Sequence, residues 1–127
     1  MKPEPRHLAA ISAALLGLGV AASAIGSHAL AGSLDADNLR RFQTATQMLV
    51  WQSLGVLALM RWAAEPLRPA LVWTGAALLT GTVIFCGSVY ALALGAPRGV
   101  ASIAPFGGLL MIGGWLVAAG LLWRRPR

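Results

Sequence analysis

Four stretches of this chain contain no aspartate, glutamate, lysine or arginine: 8–34, 42–60, 69–97 and 99–123. That feature limits the fold more than any other. At a rise of about 1.5 Å per residue, about 20 residues of helix cross a hydrocarbon layer about 30 Å thick. Each run is close to that length or beyond it. Neither strand alternation nor a heptad repeat competes with the helical reading. The expectation is an all-α fold, an integral membrane four-helix bundle. Its helices fall at about 8–31, 39–61, 70–95 and 105–123, in one transmembrane domain spanning 1–127. Six of the seven prolines (Pro3, Pro5, Pro66, Pro69, Pro97, Pro126) lie outside these spans. Pro105 opens the fourth, where a missing N–H costs nothing.

Composition agrees. Apolar residues make up 57% of the 127 positions and charged residues only 11%. So few polar groups cannot cover a fold in water, and lipid is the expected solvent. Residues 1–24 also imitate a secretory signal, with Lys2, Arg6, an apolar stretch and Ala22-Ser23-Ala24. The apolar run continues past that motif to Leu34, so the segment is read as the first membrane helix.

An even number of spans puts both termini on one side. That side receives Lys2, Arg6, Arg61, Arg68, Arg124, Arg125 and Arg127; the other receives Arg40, Arg41 and Arg98. The bias places both termini in the cytoplasm. The net charge of +6 then reflects topology and anionic lipid heads. The cations stand in small groups at helix ends, so no nucleic-acid partner is expected.

The sequence offers little for catalysis. Cys86 is the only cysteine, and His7 and His28 have no metal-ligand spacing. All four acids (Glu4, Asp35, Asp37, Glu65) fall in tails or loops, leaving no intramembrane carboxylate for transport. No phosphate loop or nucleophile elbow occurs. No metal, cofactor or enzymatic activity is expected.

Small residues recur every four positions. Ala13, Gly17 and Ala21 form one stripe, with Ala22 and Gly26 on the adjoining face; Ala77 with Gly81 and Gly114 with Ala118 form others. Such stripes let backbones approach in lipid. Gly87, Gly107, Gly108 and Gly113 add close-approach positions around helices 3 and 4. The stripes imply tight intramolecular packing, and one of them, on helix 4, is a candidate subunit interface.

Polar residues within the spans need partners. His28 lies near the outer end of helix 1, Gln43 and Gln47 near the outer start of helix 2, and Ser88 and Tyr90 near the outer end of helix 3. Their shared depth suggests one buried polar cluster. In it His28 is a neutral, hydrogen-bonded packing residue worth about 0.6–2 kcal/mol. Gln52 lies deeper and points to a separate contact. Thr82, Cys86 and Tyr90 form another line at i, i+4, i+8. Asp35-Ala36-Asp37-Asn38 supplies N-caps for helix 2.

These stretches together resemble a known family. AIGSHAL is similar to its Gly-Ala-Phe-Gly-Ala-His pattern, GTVIFCGSVYALALG to its Phe-Ser-Gly-Ser-Leu-Tyr segment, and APFGGLLMIGGW to its Thr-Pro-Ile-Gly-Gly…Gly-Trp segment. The family is domain of unknown function 423, which includes transmembrane protein 256-like proteins. The resemblance runs from about Gly17 to Gly120. It implies a small four-helix membrane protein and brings no established activity. The chain departs from the pattern at Met48 and Gln52, where the family often has tyrosine and histidine. It also departs at Cys86 and Ala104, where serine and threonine are usual. The loss of that histidine argues against a two-histidine site, and Ala104 removes an N-cap, leaving Ser102 or water.

Two function classes follow, with enzymatic activity a distant third. The first is a non-enzymatic structural, assembly or lipid-interacting subunit that contacts membrane lipids and self-associates, alone or within a larger membrane complex. The second is an oligomeric transporter or channel with His28 lining the path. A water-filled cavity at His28 separates the second from the first.

Overall fold

The computed structural model describes residues 1–125; Pro126 and Arg127 lie outside the described residues. Four long helices follow in order: α1 (Pro5–Ile25), α2 (Ala36–Ala64), α3 (Pro69–Ala93) and α4 (Ala104–Trp123). A π turn, Gly26–Leu30, continues α1, and a 3-10 turn, Arg98–Ser102, precedes α4. Prolines open α1, α3 and α4 within their first turns, where the N–H is not needed. Asp35 caps α2 by accepting from Asn38 N at 3.1 Å. The fourth helix starts without a side-chain cap, because Ser102 Oγ donates to Gly99 O instead. The gap left by Ala104 is therefore not filled by Ser102.

Three helical segments are long and apolar enough to cross a membrane: Pro5–Leu30, Pro69–Ala93 and Arg98–Trp123, with mean hydropathies of 2.1, 1.8 and 1.8. The second helix is the longest, at 29 residues, yet is not among them. Gln43, Gln47 and Gln52 dilute its apolar run. Helix α2 is flanked by α1 on one side and α3 on the other.

Successive helices run antiparallel, each packed on the next. Helix α1 touches α3 lightly, whereas no close backbone approach joins α1 to α4 among the described residues. The four helices thus form an open array, with α2 and α3 inside and α1 and α4 on the flanks. The core lies between the middle pair and includes Val56, Met60, Leu71 and Leu78, joined by Leu8 of α1 and Ala118 of α4. The flanks are apolar and exposed: Phe106, Leu109 and Leu116 on α4, Leu18 and Val20 on α1.

Both ends of the described chain sit at one end of the array. Arg68, in the α2–α3 turn, donates to the Leu121 and Arg124 carbonyls and so satisfies the last turn of α4. Lys2 and Arg6 lie beside Ala64 and Pro69 at that same end. The opposite, distal end holds Arg40, Arg41 and Arg98.

Candidate functional site

The distal end of α1 is built from small residues. Gly26 is buried against the Phe42 ring, and a Cβ there would stand 3.1 Å from it. One turn below, Ala22 and Ser23 present only small side chains. Across from them stand Gln43, Thr44, Gln47, Val50 and Trp51. Small side chains facing long ones at the diverging ends of two helices leave a cavity of about 540 Å³. That falls within the usual range for small-molecule sites.

The groove is graded along its length. Arg40 stands at the mouth, Gln43, Thr44 and Gln47 follow along α2, and Val50 and the exposed Trp51 lie furthest from it. Eleven residues of helix separate Arg40 from Trp51, about 16 Å. Across it Ser27 is nearer the mouth and Ala22 lower. Arg40 is only loosely paired, with Asp37 at 3.8 Å and both side chains exposed. Such a pair contributes little and leaves the guanidinium available. The Gln43 and Gln47 amides are exposed and have no hydrogen-bond partner among the described residues.

The wall behind the groove is rigid. Thr46 Oγ1 donates to Phe42 O at 2.9 Å. Its single proton is then used, so Tyr90 O–H donates to Thr46 Oγ1, at 2.7 Å. The Tyr90 and Phe42 rings meet edge-on with centroids 4.9 Å apart. Cys86 Sγ donates to Ala45 O at 3.4 Å. Together these tie α3 to the distal half of α2.

The expected buried cluster does not assemble as drawn from depth. His28 is exposed, lies off the groove, and has no hydrogen-bond partner among the described residues. The reason is angular. Each helical residue turns about 100°, so His28 stands about half a turn round from the buried Gly26. Ser88 is buried but donates to Ile84 O of its own helix. Of the five residues, Gln43 and Gln47 meet in the groove, Tyr90 stands behind its wall, and His28 and Ser88 belong elsewhere. Gln52 does make its separate contact, accepting from Trp115 Nε1 at 2.7 Å. Thr46 is the residue that links groove and wall, and its position four residues below Phe42 is the sequence signal for its backbone bond.

The glycines also divide. A Cβ on Gly107 would stand 2.6 Å from Phe85 N and 2.7 Å from Gly81 O. One on Gly81 would stand 2.9 Å from Gly107 O, and one on Gly114 2.6 Å from Leu78 Cδ2. These positions and Gly26 are close-approach sites. Gly108 has only distant contact, with Phe85 at 3.9 Å, and Gly17 and Gly87 face open space. The Gly114–Ala118 stripe is therefore spent on α3 and is not a free subunit surface. Gly19 and Gly55, not singled out from sequence, pack against Val50 and Trp115. Ser12 and Ser53 Oγ are buried without partners among the described residues.

Comparison with known proteins places this architecture. The family described as a protein of unknown function, DUF423, matches residues 22–108. A UPF0382 membrane protein of Staphylococcus saprophyticus is 36% identical over 100 residues, 79% of this chain and 82% of its own. One of Schizosaccharomyces pombe is 36% identical over 111 residues, 81% of this chain and 91% of its own. The UPF0382 inner membrane protein YgdD of Escherichia coli K12 is 33% identical over 96 residues, 76% of this chain and 73% of its own. No solved structure matches significantly. Three apolar helices of spanning length agree with these membrane relatives. The family match covers most of the chain, the groove and the Gly81–Gly107 contact included, and the chain belongs to the DUF423 family of membrane proteins of unknown function.

Proposed function

We propose that this protein is a four-span membrane subunit, with both termini cytoplasmic, that acts through contact with lipid and with copies of itself and catalyses no reaction. The observation that carries the reading is the open array. The α4 flank exposes Phe106, Leu109 and Leu116 at 71%, 67% and 70%. A face of that kind, unpaired within the chain, needs lipid or a second chain against it. Helix α2 is the fourth span in this reading, with Gln43 and Gln47 set in the groove and Gln52 bonded to Trp115 of α4. The basic bias orients it, and the inner-membrane name of the E. coli relative suggests the same membrane for a bacterial chain.

The groups with reactive chemistry are otherwise engaged. Tyr90 and Cys86 are hydrogen-bonded into the α2–α3 wall, and His28 stands apart on the exposed side of α1. The transport reading required His28 beside a path, and its placement does not favour that. Two experiments test the proposal. A C-terminal reporter active only in the cytoplasm is the expected result, and one active only outside would contradict the topology. In lipid nanodiscs of increasing size, light scattering should give a mass above that of one chain. A single chain at every size would remove self-association.

A further inference from the structure

The groove between α1 and α2 is built unlike the rest of the surface. Elsewhere the exposed spanning surface is mostly apolar, with His28 and Thr80 as isolated polar side chains. Here two amides, a hydroxyl-bearing face and a cation line a single concavity. Amide groups at membrane depth are costly unless hydrogen-bonded. Gln43 and Gln47 have no protein partner among the described residues, so the partner comes from outside the chain.

The order of groups says what kind of partner. The mouth offers Arg40, whose guanidinium suits a phosphate oxygen pair. Below it Gln43, Gln47 and Ser23 suit ester oxygens. Lowest, Val50 and Trp51 suit a hydrocarbon chain. A cation, uncharged donors and an apolar floor over about 16 Å match one molecule read from head to tail. We propose that the distal α1–α2 groove binds one glycerophospholipid, its phosphate diester at Arg40, its glycerol esters at Gln43 and Gln47, and one acyl chain along Trp51. This rests on the membrane-embedded reading above and names the lipid class that reading leaves open.

Gly26 and Phe42 close the groove toward the core, and the Thr46–Tyr90 pair holds Phe42 in place. The site is thus set by packed elements rather than by a loop. The distal leaflet supplies the lipid, because the mouth lies at the end opposite the termini.

The test uses the full chain, delipidated in a mild non-ionic detergent and examined by native mass spectrometry. Palmitoyl-oleoyl phosphatidylethanolamine, dioleoylglycerol and inorganic phosphate are added separately. The phospholipid should be retained at one copy per chain, and dioleoylglycerol about tenfold less, the loss of one charge-assisted contact. Inorganic phosphate should not displace it. Arg40→Ala and the double variant Gln43→Leu/Gln47→Leu should each lower retention about tenfold. Leu109→Ala, on the far flank, should not. Circular dichroism reports whether each variant folds; should the double variant fail, Arg40→Ala and the dioleoylglycerol comparison decide. Equal retention of both lipids, unchanged retention in Arg40→Ala, or displacement by inorganic phosphate overturns the proposal. Carbonate extraction separates the two levels. A chain released by carbonate contradicts the membrane reading, whereas a chain that stays embedded without selective retention contradicts the groove assignment alone.

Discussion

Between α3 and α4 the backbones come close to touching; at the distal ends of α1 and α2 they stand apart around a cavity of about 540 Å³. In the first region each potential Cβ at Gly81, Gly107 and Gly114 is already occupied by a neighbour at 2.6–2.9 Å. In the second, Gly26 closes one level, and Ala22 and Ser23 line the cavity together with Gln47 and Trp51. Both regions use small residues. What differs is the residue opposite. In the first, Gly81 and Gly107 face each other and Gly114 receives the Leu78 side chain; in the second, Ala22 and Ser23 share a slot with two amides and an indole. In lipid, where no hydrophobic drive pulls helices together, that geometry decides whether a contact closes.

The contrast is broken most severely by adding bulk where there is no room. Gly114→Leu should cost about 3 kcal/mol through overlap with Leu78, and Gly17→Leu, facing open space, less than about 0.5 kcal/mol. Thermal unfolding in detergent checks both. A large loss at Gly17 accompanied by a change in oligomer mass would mean that the α1 stripe is an interface between copies. A smaller effect tests the bridge that side chains alone make from α2 to α4. Gln52→Leu leaves Trp115 Nε1 without its acceptor and should cost about 1–2 kcal/mol. Trp115→Phe in the same background should restore part of that loss, because both partners are then apolar. The smallest effect is expected at His28. Exposed and unpartnered among the described residues, it should tolerate His28→Leu within about 0.5 kcal/mol, not the 0.6–2 kcal/mol of a buried hydrogen bond. A loss above about 1 kcal/mol would place the ring in a contact between chains.

Much of the fold was legible because charge marks where membrane helices end. The charge-free runs locate α1, α3 and α4 to within a few residues. The reading of α2, 39–61, held Arg40, Arg41 and Arg61 within the helix, which runs three residues further at each end, over Ala36–Ala64. Depth was legible for Gln43, Gln47 and Tyr90, which lie at the groove and behind its wall. Direction around the helix was not. His28 lies at that level but on the opposite face from Gly26, and depth says nothing about face. The two stripes make the same point. Ala13-Gly17-Ala21 and Gly114-Ala118 share one spacing, yet Gly17 is open and Gly114 is filled by Leu78. Periodicity fixes which residues share a face, and only the neighbouring helix decides which face is used. Nor does any residue pattern state that α1 and α4 stay apart: the four helices expected from sequence are present, and their arrangement is an open array.

The sharpest test adds equal bulk to the two regions and compares them. Ser23→Leu extends into the groove, and Gly107→Leu drives a side chain into Phe85 N and Gly81 O. Measured by thermal unfolding in lipid-free detergent, Ser23→Leu should stay within about 0.5 kcal/mol of the parent, and Gly107→Leu should lose about 3 kcal/mol or fail to fold. Losses of equal size in the two variants would contradict the account, because the groove would then be as closed as the α3–α4 contact.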